Sequence, residues 1–567
     1  MDTTNTNQRK GKAISPLERF RKLLQIDKQD ITQVYIYAFF NGLVNLSLPI
    51  GIQAIINLIQ GGEITTSWMI LVAFVIGGIV LTGILQLLQL RIVENLAQKI
   101  FSKASFEFAY RIPAIKHSEL NNYYAPELAN RFFDTTTIQK GLPKILIDFS
   151  LALFQIIVGL FVLSLYHSFF IIFSLVLVAL VYVIIAVTGP KGLKTSLQES
   201  KYKYKIAFWI EEIARAKISF KLVGNIDYSL SKTNECVENY LDARESHFKV
   251  LINQALYLIG FKMVIAAGLL ITGSILVFNQ EMNIGQFVAA EIIIILIIAS
   301  VEKLIKSLDS IYDVLTALEK IGYVTDMSLD NDNGGLEVEE NATDFPLGFK
   351  KISFQYPDSA NPTLKDITFD LPAHTSLQIS GPPNSGKSTL LYLLAGILEP
   401  TEGLIHIRGL PLKSLNKLNL RKNIGFSLDS NEIFQSTILE NIKMGRHNVT
   451  SEDIKEAIRI TKLNSFISSV PMGLNTILDP EGRRTPRNIK NRVLLARAIV
   501  NKPKLLVLED PLDHVAEEEK AEIIKELTDP DKSWAIIVSS VDRLWDKFIP
   551  NNLLLHNGEL ESLKITR

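Results

Sequence analysis

Two unlike patterns of apolar and polar positions divide this chain. Up to about residue 310 it carries six long apolar runs, approximately Tyr35–Ile59, Trp68–Leu90, Ile145–Tyr166, Phe169–Val187, Tyr257–Phe278 and Ile284–Leu304. Each is long enough to cross a hydrocarbon core of about 30 Å as a helix. Further on, short apolar strands alternate with helical stretches. The strand candidates are Leu347–Gln355, Leu364–Leu371, Ser376–Ser380, Lys504–Leu508 and Trp534–Ser539, and their alternation with helices predicts a partly parallel α/β sheet. Between the two patterns, residues 328–344 are acidic, rich in Gly and Asn, and aperiodic, which is the composition of a linker. The expected organisation is a polar segment 1–30, an α-helical six-span membrane domain 31–327, the linker 328–344 and an α/β domain 345–567.

Charge orients the spans. The connections Gln60–Ser67, His167–Ser168 and Asn279–Asn283 contain no Lys or Arg. The N-terminal segment holds Arg9, Lys10, Lys12, Arg19, Arg21, Lys22 and Lys28, and the long connections 91–144 and 188–256 are rich in both residues. Excess positive charge stays on the cytoplasmic side, so both termini and both long connections are expected there. Each long connection would extend two membrane helices well past the bilayer and turn at the far end, near Glu119–Pro126 (running into Glu127–Asp134) and near Glu211–Gly224. Short helices at those turns either carry motion between the soluble domain and the spans or are plain hydrophilic extension.

Ionisable groups within the spans are candidate pathway residues. Glu291 falls about 12 Å from the outer end of span six and Lys262 about 24 Å from the outer end of span five, at about 1.5 Å per residue. That mismatch in depth argues against a direct pair. Glu291 is a candidate for lining a substrate cavity, the alternative being a helix–helix hydrogen bond. Lys262 is read as snorkelling to the cytoplasmic edge, and Asp148 as solvated there. The first 30 residues lack an apolar core, so no cleavable signal peptide is expected.

Composition changes this picture little. The 567 residues carry 59 basic and 59 acidic side chains, and this balance offers no argument for a nucleic-acid partner. The single cysteine, Cys236, lies in a polar helical stretch, where it reads as a small neutral residue and can form no intrachain disulfide. The strongest local chemistry is Gly381-Pro382-Pro383-Asn384-Ser385-Gly386-Lys387-Ser388-Thr389, between an apolar strand and an apolar helix at Leu390–Leu398. The glycines let backbone N–H groups close around a triphosphate, Lys387 reaches the β/γ-phosphates, and the Ser388 hydroxyl ligates Mg²⁺. The chain is therefore expected to bind a nucleoside triphosphate.

Six spans with two long cytoplasmic connections, followed by a phosphate-loop domain, resemble an exporter-type half-transporter of the ATP-binding cassette family. Nearly the whole chain takes part. In Ile352–Pro357, Tyr356 looks like the aromatic that stacks on adenine in that family. Ile424-Gly425 and Ser436–Ile442 match the surroundings of its glutamine loop, while Arg492–Ile499 with Lys502-Pro503 match the frame around its second acidic motif. The resemblance implies an exporter-type membrane domain, ATP and Mg²⁺ as ligands, contact with membrane lipid, and dimerisation.

Several positions depart from the family pattern. The expected glutamine aligns with Asp429, a carboxylate that accepts but cannot donate and could still hold the metal. The signature loop aligns with Thr485-Pro486-Arg487-Asn488-Ile489. There Pro486 has no N–H and Arg487 is too large for the close phosphate approach that glycines allow. Thr485 followed by Pro486 still reads as a good helix start. Arg483, Arg484 and Arg487 are either a charge-based substitute or a solvated basic face.

The strand Leu505–Leu508 ends in Glu509-Asp510, where the family has Asp followed by a catalytic Glu. Glu509 can serve the Mg²⁺ shell, but Asp510 is one methylene short as a base. Asp513–Ala516 lacks the terminal Asp of the inter-subunit loop, and Ser540 stands in place of the switch histidine. His514 is near in sequence, but nothing places it in that role.

Together these substitutions lead us to expect an ATP-binding export subunit that hydrolyses weakly or not at all alone and pairs with a competent half-transporter. The alternatives are a homodimeric, ATP-gated regulatory or structural membrane protein, or a slow ATPase built on Asp510. A bacterial plasma membrane is the expected location and a periplasmic adaptor a further candidate partner. The N-terminal region is short for the peptidase domain that some peptide exporters carry, and it lacks the required cysteine.

Overall fold

The computed structural model describes residues 14–60, 66–120, 123, 125–330, 335–337, 345–357, 359–429 and 432–565. Arg9, Lys10 and Lys12, most of the Gln60–Ser67 connection, part of the Glu119–Pro126 turn and most of the linker 328–344 lie outside these residues. The chain forms two compact units, one of residues 1–114 with 122–327, the other of 115–121 with 328–567.

Six helical segments among the described residues of the first unit are long and apolar enough to cross a membrane: Lys28–Gln60, Thr66–Ala114, Pro126–Ser164, Phe169–Arg215, Ile226–Phe278 and Ile284–Thr325. All six begin or end beyond the apolar runs that predict them, because polar helix continues out of the span. Span one is two helices rather than one, Lys28–Val44 and Ser47–Gln60. Pro49 accounts for the break: it cannot donate to the Asn45 carbonyl, and its ring crowds that group. In span three the helix Asp134–Lys144 passes through a π-helical turn, Ile145–Phe149, into Ser150–Ser164. Asp148 lies in that turn and is half-buried, which corrects its reading as a simply solvated group.

Small residues set close helix contacts, as they do wherever apolar packing must substitute for a solvent-driven force. A Cβ at Gly192 of span four would lie 2.4 Å from the Tyr312 ring of span six. Beside it the Gln254 amide donates to the Tyr312 hydroxyl at 3.0 Å and to the Thr188 hydroxyl at 3.1 Å, tying spans four, five and six. At the turn between spans four and five, Lys217–Val223 forms a short helix that ends at Gly224, whose φ of +68° is a left-handed position that glycine adopts freely.

Lys262 does not simply snorkel. Its ammonium donates to the Glu302 carboxylate at 2.5 Å, and Lys306 pairs with the same carboxylate at 2.7 Å. Glu302 lies near the end of span six remote from the Asn279–Asn283 connection, at a depth that matches Lys262 where Glu291 does not. Glu291 is half-buried and makes no side-chain hydrogen bond among the described residues.

Among the described residues the second unit contains twelve strands: β1 Leu347–Phe354, β2 Leu364–Leu371, β3 Leu377–Ser380, β4 Glu402–Ile407, β5 Leu410–Pro411, β6 Ile424–Ser427, β7 Ser436–Thr437, β8 Ile477–Leu478, β9 Leu505–Glu509, β10 Ala535–Ser539, β11 Asn552–His556 and β12 Glu559–Lys564. The main sheet runs β12-β11-β3-β10-β9-β6 and is parallel except for the β11–β12 hairpin. An antiparallel sheet, β2-β1-β4-β5, packs beside it. The near-continuous apolar runs of β9 and β10 are buried on both faces, as parallel central strands require. Because β3, β9 and β10 are neighbours, the loops at their carboxyl ends converge at one edge, where ligands of open α/β sheets bind.

Candidate functional site

The phosphate loop leaves β3 at Gly381, where an added Cβ would meet the Leu555 carbonyl oxygen at 2.2 Å, and enters the helix Lys387–Leu394 through Gly386 at φ +96°. The helix begins three residues before the expected Leu390 and ends short of Leu398. Pro382, Pro383 and Asn384 are exposed on the outside of the loop, whereas Ser385 is buried. Asn384 itself holds a left-handed φ of +64°. These turns aim successive N–H groups into a concave nest suited to an anion.

The Lys387 ammonium folds back over that nest, donating to the Gly381 and Pro382 carbonyls at 2.9 Å each and to the Ser385 hydroxyl at 3.4 Å. Burial pushes its pKa down, opposed by the negative charge of Asp510 and Glu509. Tyr356 is half-buried, edge-on to Phe354, with its hydroxyl 3.3 Å from that of Thr389. The aromatic and the loop therefore stand side by side. Ser388 is exposed at the loop mouth.

β9 delivers Glu509 and Asp510 to the same edge. A Glu509 carboxylate oxygen accepts the Asp429 N–H at 3.1 Å, which brings two of the three predicted Mg²⁺ ligands together. Ser388, Asp429 and Glu509 form a set of hard oxygen donors, and such a set suits Mg²⁺. Asp510 has φ +37°; its N–H donates to the Ser539 carbonyl at 2.9 Å and its carboxylate accepts the Val541 N–H at 3.3 Å. Ser540 is 7% exposed and its hydroxyl accepts the Asp542 N–H at 3.1 Å. Both side chains are engaged with backbone.

The segment Thr485–Ile489 corrects one expectation. The helix after it is Arg487–Ile499, and Pro486 rather than Thr485 occupies the N-cap, with no side-chain cap. Thr485 is displaced because Pro486 adopts the extended conformation that the cap position needs. Arg487 lines a cleft of about 360 Å³ together with Asp429, Glu509, Asp510, Asp513 and His514 of this same chain. Asn488 is half-buried and Ile489 buried. Arg483 pairs with Glu481 at 3.1 Å, and Arg484 donates its N–H to Asp479 at 2.9 Å. His514 pairs with Asp513 at 3.0 Å. Ala516 is the N-cap of Glu517–Leu527 and offers that helix no side-chain acceptor.

Sequence reasoning missed two contacts. One is the sharing of a cleft by Arg487 and Asp510, which depends on tertiary packing and leaves no local signal. The other is the Lys262–Glu302 pair, for which the signal was available: both lie toward the ends of spans five and six that are remote from the Asn279–Asn283 connection.

Comparison with known proteins defines the class. Residues 33–301 match the ABC transporter transmembrane region, and residues 364–513 match the ABC transporter nucleotide-binding family. The chain belongs to the ABC transporters: it joins an ABC transporter transmembrane region, with six helices long and apolar enough to cross a membrane among the described residues, to an ABC transporter domain in one chain.

Among relatives, the uncharacterized ABC transporter ATP-binding protein YfiC of Bacillus subtilis is 36% identical over 184 residues, covering 32% of this chain and 30% of its own length. The match to each of three Bacillus subtilis relatives covers less than half of that relative. The lactococcin-A transport/processing ATP-binding protein LcnC of Lactococcus lactis is 22% identical over 538 residues, covering 94% of this chain and 74% of LcnC. In fold, the chain is similar to a bacterial Atm1-family ABC exporter with ATP bound, with a TM-score of 0.79 over 95% of each chain and 16% identity.

Proposed function

We propose that this chain is the ATP-gripping subunit of an exporter that has ceded hydrolysis to a competent partner half-transporter. The observation that carries this reading is the state of the catalytic edge. Asp510 is too short to reach an attacking water and is bonded to the Val541 N–H. Ser540 can supply no positive charge at the γ-phosphate. Tyr356 stacks on adenine, the loop Gly381–Thr389 holds the phosphates, and Ser388, Asp429 and Glu509 hold Mg²⁺. ATP then serves mainly to close the dimer. Residues 328–344 act as the linker between the halves, both termini lie in the cytoplasm, and a bacterial plasma membrane is the setting. Glu291 faces the substrate pathway. Polypeptide, lipid and drug cargoes are all compatible with these features.

A second reading is favoured by the altered Thr485–Ile489 loop. With signature and acidic motif changed in one chain, each composite site of a heterodimer contains one altered part. A homodimer that binds ATP and gates without turnover avoids that difficulty. ATPase measurement on the purified chain in nanodiscs, alone and with any copurifying half-transporter, separates the readings. The proposal expects background turnover alone, turnover restored by the partner, and loss of ATP binding in Lys387→Ala. Hydrolysis by the chain alone at the rate of a working transporter would sink it.

A further inference from the structure

The helical unit holds a cavity rich in charged side chains, outside the nucleotide domain. A cavity of about 620 Å³ opens between the segment around Arg131, span helix four and span helix six. Span four contributes Leu197, Lys201, Tyr204 and Phe208, which recur at helical spacing on one face. Four cations, Arg131, Lys201, Lys205 and Lys320, face two carboxylates, Glu127 and Glu319.

Two of those cations are buried and poorly served. Arg131 is 8% exposed; one of its nitrogens donates to Glu127 at 2.6 Å, and Nε and Nη1 have no hydrogen-bond partner among the described residues. Its guanidinium lies 3.7 Å from the centroid of the Tyr204 ring. Lys320 is 6% exposed and makes no ion pair among the described residues; its ammonium sits 5.2 Å from the Tyr323 ring and 5.8 Å from the Tyr204 ring. Aromatic faces attract cations but accept no N–H bond of carboxylate strength. The nearby Asp134 carboxylate is itself engaged by the Tyr204 hydroxyl. A buried guanidinium and a buried ammonium sharing one ring, with donors left over, form a receptor for an oxyanion.

The cavity is much larger than a phosphate ion needs, and Leu197, Phe208, Tyr123 and Tyr323 wall it. Such walls suit an apolar or aromatic body. Lys320 lies about 24 Å of helix beyond the end of the apolar run of span six at Leu304, too far for an ordinary lipid headgroup. We propose that this cavity binds a soluble organic anion, a phosphate- or carboxylate-bearing molecule with an aromatic body, through Arg131 and Lys320.

The test uses the full-length protein in phosphatidylcholine nanodiscs, with 4-methylumbelliferyl phosphate as the probe and uncharged 4-methylumbelliferone as its control. Saturable probe binding is expected, with the control weaker by at least about tenfold. Arg131→Gln and Lys320→Gln are each expected to weaken the probe by a similar factor, and the Lys320 variant keeps the test alive if the Arg131 variant fails to fold. Lys387→Ala should leave probe binding unchanged. No binding by the wild type, equal binding of the uncharged control, indifference to Lys320→Gln, or loss on Lys387→Ala each overturns the proposal. Displacement of the probe when phosphatidylglycerol enters the nanodisc also overturns it, by assigning the site to a lipid headgroup.

Discussion

The proposed loss of hydrolysis rests on two residues, Asp510 and Ser540, whose side chains are both bonded to backbone N–H groups. Asp510 follows directly on β9, beside Glu509, and is one methylene shorter than a glutamate. A misplacement of about 1 Å at a catalytic group can cost on the order of 100-fold in rate. Asp510→Glu combined with Ser540→His is therefore expected to raise ATP turnover of the purified chain by at least about tenfold, more than either change alone. Equal turnover in wild type and double variant, with ATP binding intact, would place the defect in the Thr485–Ile489 loop. The phosphate loop was legible because its geometry is dictated by neighbours in sequence: Gly381, Gly386 and Lys387 need only a strand before and a helix after. The cleft contact of Arg487 was not legible, since it joins residues far apart in sequence.

Among the elements, helix caps carry the clearest divergence between pattern and structure. Thr485 reads as a cap, yet Pro486 holds the position. Ala516 reads only as a lost inter-subunit aspartate, yet it is the uncapped start of Glu517–Leu527, whose first turn is stabilised by Glu517, Glu518 and Glu519 against the helix dipole. Ala516→Asp supplies the missing acceptor. It is expected to stabilise the nucleotide domain by about 1 kcal/mol, raising its melting midpoint in the full-length protein by roughly 2–4 °C. A lowered midpoint would mean that a fourth acidic group there outweighs the cap. Strand positions were well marked because β9 and β10 are continuous apolar runs. The break in span one was harder to see, because apolarity alone does not register that Pro49 withdraws a backbone donor.

At the scale of the molecule, charge asymmetry and apolar length identified six crossings, and matched depth would have identified Lys262–Glu302 as well. The same topology makes the lone thiol a reporter. Cys236 is half-buried in the helix Ile226–Phe278. A membrane-impermeant maleimide is expected to label it only from the cytoplasmic side, while Gln280→Cys in a Cys236→Ala background labels only from the opposite side. Labelling of Cys236 from outside intact cells would invert the topology.

The lengths of these helices have a mechanical meaning. The 53 residues of Ile226–Phe278 span about 80 Å, of which a bilayer core covers only about 30 Å. Span two, with 49 residues, and span four, with 47, are built alike. Taken as straight rods pivoting at a fulcrum in the membrane, such helices are levers, with span four carrying Pro190 inside its helix. A tilt of about 5° at the fulcrum sweeps the far tip through roughly 4 Å, close to one helical turn, without breaking a backbone hydrogen bond. Small angular changes among packed spans, at contacts such as Gly192 on Tyr312, are thereby geared up into displacements large enough to re-register a side chain at the far end.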